Sequence, residues 1–191
     1  MVSENIVNLV VYHGTDYNIA KIIEKTNFKY KRSKKHWLGN GIYFYKDITL
    51  ANWWTTKPSN SFGTDISKAA ILKCVLMIRE DRVLDLRKLD DYLWFSEQYT
   101  KEFLPMIYSG EIKIQKDKDT GKFNSKRLRC AFCDFIRHQY KIDAIIGTFN
   151  LPKQPYLPKE YGDGFKDFAL EYIETQICIF NKKVIKEKKI L

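Results

Sequence analysis

The chain has 191 residues, with 33 Lys and Arg against 23 Asp and Glu, giving a formal net charge of +10. Apolar residues make up 45% and charged residues 29%, which excludes disorder along the whole length and suits one domain, 1–191, with a sizeable core. No apolar run reaches the roughly 20 residues that span a bilayer, and the N-terminal stretch lacks a basic start and a cleavage site, so a cytoplasmic protein without membrane contact is expected.

In chain order, the β-branched run Ile6 to Tyr12 predicts a buried strand that ends at His13-Gly14-Thr15. Asp16 can cap a helix that buries Ile19, Ile22 and Ile23. A basic loop runs to Lys35, Gly39-Asn40-Gly41 makes a turn, and Ile42 to Tyr45 reads as a strand. Asp47 then caps a helix with Leu50, Ala51 and Trp54 on one face. Residues 57–67 read as loop, Ala70 to Ile78 as a strong strand, and Val83 to Leu86 as a further one.

Leu89 to Met106 reads as helical with an interruption at Pro105, and Lys116 to Asn124 as a charged turn around Gly121. Leu128, Phe132, Phe135 and Ile136 recur at helical spacing, so Ser125 to Tyr140 should be a helix. The region around 89–140 thus forms a helical insertion. Ala144 to Gly147 is a short buried strand, the Pro- and Gly-rich stretch 151–164 an irregular loop, and Glu174 to Asn181 the last strand. Mixed rather than alternating elements give an α+β class and disfavour a doubly wound nucleotide fold. Neither a Gly-x4-Gly-Lys-Ser/Thr loop nor a Gly-x-Gly-x-x-Gly turn occurs.

Four cysteines are too few for a disulfide scaffold. Cys130 and Cys133 lie about 60° apart on the expected helix, away from the Leu128 stripe. Without a second such pair they read as semi-buried thiols rather than metal ligands, and no metal is expected.

The positive charge is clustered. Residues 29–35 hold five cations in seven positions, residues 113–129 hold seven against Asp117 and Asp119, and residues 182–189 hold five against Glu187. Such segments favour contact with phosphates, and aromatic residues at 15% supply rings for ligands to stack on.

Three motifs sit at strand edges. His13-Gly14-Thr15 offers an imidazole beside a backbone that a flat ligand can approach. In Gly39-Asn40-Gly41-Ile42-Tyr43-Phe44, Tyr43 with Trp54 of the following helix can wall a slot for a planar ring. In Glu174-Thr175-Gln176, two polar side chains share one face of an otherwise apolar strand.

This order of motifs resembles the ADP-ribosyltransferase superfamily, nearest to its diphtheria-toxin and poly(ADP-ribose)-polymerase branch and to small bacterial toxins. Gly41-Ile42-Tyr43-Phe44 with its helix is the most specific part, whereas residues 89–140 match nothing in the family. The resemblance implies a split β-sheet core flanked by helices and NAD as the ADP-ribose donor. It implies that His13 holds the adenosine ribose, Gly14 the nicotinamide carboxamide, and Tyr43 and Trp54 the nicotinamide ring. Thr15 and Gly41 would line the donor, and Arg32, Lys34 and Lys35 would lie near its pyrophosphate. The triad Glu of the family aligns with Gln176, a departure, because an amide cannot offset positive charge. Glu174 could supply the carboxylate for an oxocarbenium-like transition state.

Glu-x-Gln resembles ART-like toxins more than the polymerases, and implies transfer of a single ADP-ribose. The charge points to a nucleic-acid acceptor, and the likeness to bacterial members to a toxin–antitoxin or phage-defence setting with an antitoxin partner. The competing readings are a protein-modifying toxin, a hydrolase that depletes NAD, and an inactive nucleic-acid-binding module that keeps the fold.

Overall fold

A computed structural model of the protein describes residues 5–30, 32–56, 68–116, 120–149 and 173–191. The loops expected at 57–67 and 151–164 lie outside them. The architecture is α+β: among the described residues seven strands join in one mixed sheet, with helices on both faces.

β1 (Ile6–Asp16) runs on through the His13-Gly14-Thr15 motif instead of stopping before it, because β3 (Ala69–Arg79) pairs with it along its whole length, from Ile6↔Arg79 to Asp16↔Ala69. α1 (Tyr17–Lys25) starts where Asp16 Oδ1 accepts from the N–H groups of Asn18 and Ile19. Its buried residues are Ala20 and Ile23, whereas Ile19 and Ile22, expected in the core, are 43% and 58% exposed. β2 (Ile42–Tyr45) is short, and α2 (Ile48–Thr56) follows with the Asp47 carboxylate accepting from Thr49 N–H at 2.7 Å, as expected.

β4 (Val83–Asp85) and β5 (Ala144–Phe149) are parallel, so the segment between them is a crossover connection. It contains α3 (Leu89–Gln98), a π-helical turn at Tyr99–Phe103, α4 (Leu104–Tyr108) and α5 (Ser125–Gln139). The break expected at Pro105 is instead the wider turn just before it. Pro105 itself sits at the start of α4, directly after that turn. α5 begins at Asn124, whose Oδ1 accepts from Arg127 N–H at 3.1 Å. β6 (Glu174–Ile179) pairs with both β2 and β5, and β7 (Ile185–Ile190), absent from the sequence reading, pairs with β3. The strand order is β4-β5-β6-β2-β1-β3-β7.

Strand alternation divides the core in two. One sheet face packs Val11, Phe44, Leu72 and Ile177 against Ala20, Ile23 and Phe28. The other carries two clusters. Ile145 and Cys178 pack with Leu38, Phe132, Cys133 and Ile136 beneath α5, while Tyr45 packs with Leu50 and Ala51 beneath α2. All four cysteines are buried, and the α5 pair lies deeper than its helical angles suggested because residues 33–40 cover it. Cys130 Sγ donates to Ser33 O at 3.2 Å.

No helix among the described residues is long and apolar enough to cross a membrane, and no group of potential metal ligands occurs among them.

Candidate active site

The β1–β2 seam carries one register pair, Tyr12↔Tyr45. Beyond it the strands part, and His13 fills the gap: its Nδ1 donates to the main-chain oxygen of Tyr43 at 2.8 Å. A carbonyl oxygen can only accept, so Nδ1 bears the proton and Nε2 keeps a lone pair. The ring packs edge-on against Phe28 and Phe44, with centroids 5.1 and 5.7 Å away. Burial lowers its pKa, against a smaller upward pull from the Tyr43 hydrogen bond, so the imidazole is neutral near pH 7.

Register decides which of the expected residues meet. Gln176 stands opposite Tyr45 on β2 and Gly147 on β5, and Glu174 stands opposite Phe149. Directly opposed residues share a face, so Glu174, Gln176, Tyr45 and Phe149 project together, as do Tyr43 and Cys178 one step along. His13 projects to the other face, among Phe28 and Phe44. The polar pair on β6 therefore does share one face, but the imidazole reaches the group only through the Tyr43 backbone.

Glu174 is 1% exposed, and its Oε1 accepts from the Gln176 amide. Tyr45 is close enough for the carboxylate to push its hydroxyl pKa up, adding to the larger effect of burial. The ring facing Trp54 is that of Tyr45, at 6.5 Å and tilted, rather than Tyr43. Trp54 is 36% exposed, so it forms a rim instead of a buried wall.

Tyr43 is occupied otherwise. Its hydroxyl accepts from Leu38 N–H and donates to Gly39 O, both at 2.7 Å. It thereby holds the loop that precedes the Gly39-Asn40-Gly41 turn. Burial raises its pKa far above the ordinary value, and neighbouring Cys178 adds to this. The motif glycines have packing reasons. A Cβ on Gly14 would lie 2.3 Å from Ala51 O, and one on Gly41 2.5 Å from Cys178 Sγ. Thr15 is buried and Arg32 is exposed on the loop.

Three residues that sequence reasoning missed complete the group. Trp37, carried by that loop, packs edge-on to Phe149 at 4.6 Å. The Arg129 guanidinium of α5 lies over both rings, 4.7 Å from Trp37 and 5.5 Å from Phe149. Long-range strand register brings Phe149 beside Glu174, and no local sequence signal announces it. A cleft of about 430 Å³ opens nearby at the end of β2, between Tyr12, Lys46 and Ile48 on one side and Ile173 and Thr175 on the other.

The arrangement is a buried carboxylate steadied by an amide, with aromatic rings on both sides and a cation stacked at one edge. Such a group can stabilise a flat cation that develops against the carboxylate.

No family model and no solved structure matches the chain. A curated relative, "Uncharacterized protein MJ0359" of Methanocaldococcus jannaschii, is 27% identical over 197 residues, which covers 95% of this chain and 86% of the relative.

Proposed function

We propose that the protein is an NAD-dependent mono-ADP-ribosyltransferase, a toxin of the small bacterial type, with a nucleic acid as acceptor. The observation that carries this reading is Glu174: a carboxylate 1% exposed, held by Gln176, with Tyr45 and Phe149 on the same sheet face. Breaking the bond between nicotinamide and ribose leaves positive charge on the ribose ring. A carboxylate in a poorly solvated site offsets that charge far better than water does. The motif order that resembles this superfamily supports the same reading.

The residues divide the work. Glu174 faces the developing cation, and Gln176 keeps the carboxylate oriented while its own carbonyl can accept from a ribose hydroxyl. His13, on the opposite sheet face, is a positioning residue: its Nδ1 bond fixes the Tyr43 backbone where β1 and β2 part. Tyr43 is a positioning residue, acting through Leu38 and Gly39 on the loop that carries Trp37. Tyr45, Trp54, Trp37 and Phe149 supply the rings that nicotinamide and adenine need, and Arg129 a cation for the pyrophosphate. NAD is the donor substrate, and the chemistry requires no metal.

A second reading, a non-catalytic nucleic-acid-binding module of this fold, is favoured by one observation. The Tyr43 hydroxyl and the motif glycines are all engaged in packing and hydrogen bonding within the fold. Incubation with NAD, followed by mass spectrometry of nicotinamide and of nucleic-acid and protein fractions, separates the readings. ADP-ribose on RNA or DNA supports the proposal. Label on protein alone moves the acceptor class, and nicotinamide release without any labelled acceptor indicates NAD hydrolysis. Absence of nicotinamide release together with no thermal shift from NAD sinks the transferase.

A further inference from the structure

The first turn of α5 holds an electrostatic conflict. It carries Lys126 and Arg127 and no acidic residue, although the positive end of a helix dipole disfavours cations. Beside this turn runs a cleft of about 500 Å³, walled by Ser33, Lys34 and Asn40 on one side and by Lys113, Gln115 and Arg127 on the other.

Among the described residues, cations outnumber acids in the lining of the cleft. The one acid among its described lining residues, Asp134, is committed: Oδ1 accepts from Asn40 N–H at 2.8 Å, Oδ2 accepts from Asn40 Nδ2 at 2.5 Å, and Arg137 Nε lies 3.5 Å from Oδ1. Among the described residues the ammonium groups of Lys34 and Lys113 have no hydrogen-bond or ion-pair partner, and the guanidinium of Arg127 donates to the neutral Gln115 carbonyl. Spaced cations that no described acidic residue pairs with suit a row of phosphates.

We propose that this cleft binds the sugar–phosphate backbone of a single-stranded nucleic acid. A walled cleft takes a strand lengthwise, whereas readers of a duplex project a helix or ribbon into its groove. The loop that forms one wall also carries Trp37, which packs on Phe149 beside Glu174, so a bound strand runs along the border of the candidate active site. Its role as acceptor rests on the transferase reading above; its binding does not.

The test is fluorescence anisotropy without NAD, using fluorescein-labelled oligo(dT) and oligo(U) of about 12 nucleotides, at salt from about 50 to about 200 mM. Lys34→Ala with Lys113→Ala, both exposed, should weaken binding about tenfold and reduce the salt slope by about 1.4, from two lost phosphate contacts on a single strand. Lys183→Ala with Lys186→Ala removes the same charge next to β7, at the opposite sheet edge, and should change affinity less than about twofold. Circular dichroism of each variant checks that it is folded. Equal losses in the two pairs, no binding by the wild-type protein, or displacement by polyglutamate as readily as by unlabelled oligonucleotide would each overturn the assignment. Nicotinamide release is followed in parallel. Cleft-dependent binding without release keeps this site and sinks the transferase; release without cleft-dependent binding does the reverse.

Discussion

His13 and Tyr43 meet through the imidazole Nδ1 and a main-chain oxygen 2.8 Å away, at the point where β1 and β2 stop pairing. The contact ties the strand carrying His13 to the one carrying Tyr43 and fixes the imidazole tautomer. It also makes stability depend on pH. Burial holds the folded pKa of His13 below its ordinary 6.5, so as pH falls through 6.5 the unfolded chain takes up the proton first. Stability is therefore full above pH 6.5 and declines below it, until the folded form also protonates. His36 is lowered too, chiefly by burial, and adds a decline of the same sign. Thermal melts from about pH 8 to about pH 5 should fall in this window. His13→Gln should flatten the fall in part; an unchanged pH profile would show that the His13 site does not resist protonation.

Glu174→Gln keeps shape and hydrogen-bonding capacity while removing charge beside Tyr45 and Phe149. If the carboxylate stabilises the cationic transition state, nicotinamide release should drop by about 100-fold or more with a much smaller change in the apparent KM for NAD. Gln176→Ala, which frees the carboxylate from its amide, should cost less in turnover than Glu174→Gln. Full turnover in Glu174→Gln would remove the carboxylate from the mechanism.

Tyr43→Phe deletes a hydroxyl that serves Leu38 N–H and Gly39 O inside a half-buried environment. Both groups lose a partner, and destabilisation of about 1–3 kcal/mol is expected from denaturant titration. If Tyr43 acts through the loop, Trp37 fluorescence should shift in the same variant and turnover should fall with it. A variant with wild-type stability and an unshifted spectrum would contradict that positioning role.

Much of the framework was legible in the sequence because it is local. A β-branched run marked β1, apolar runs marked β3 and β5, and helical spacing of apolar residues marked α5. β7 escaped because Ile185 to Ile190 sets four charged residues in a row between two isoleucines at a sheet edge, which in sequence reads as a basic tail. The α1 stripe was misplaced since Ala20, a small residue, does the packing that Ile19 and Ile22 seemed suited for. At the site, period-two alternation correctly put Glu174 and Gln176 on one face. It could not say that Tyr45 faces them more directly than Tyr43, or that Phe149, Trp37 and Arg129 join them, since register across strands far apart in sequence decides both.

Gly14→Ala separates packing from ligand approach at the first motif. A Cβ there would stand 2.3 Å from Ala51 O and 2.7 Å from Thr55 Cγ2, so α2 must move away from β1 to admit it. Overpacking against backbone costs about 1–3 kcal/mol or more, and a lowered Tm is expected whether or not NAD binds. A variant as stable as wild type would show that α2 gives way at little cost and leave ligand approach as the reason for the glycine.

Asp134→Ala tests how residues 33–40 are held over the sheet. Both carboxylate oxygens accept from Asn40, and Asn40 Oδ1 in turn accepts from Ser33 N–H at 2.7 Å, so one side chain of α5 anchors the loop at two points. Gly39, at φ +87°, supplies the left-handed turn that aims Asn40 at α5. Losing charge-assisted bonds that leave Asn40 donors behind should cost about 2–3 kcal/mol. Because the loop also carries Trp37 and Lys34, the same substitution should loosen the Trp37–Phe149 contact and weaken oligonucleotide binding, even though it makes the protein more positive. Charge alone predicts tighter binding on removal of an acid, so the direction of the affinity change tells loop anchoring from electrostatics.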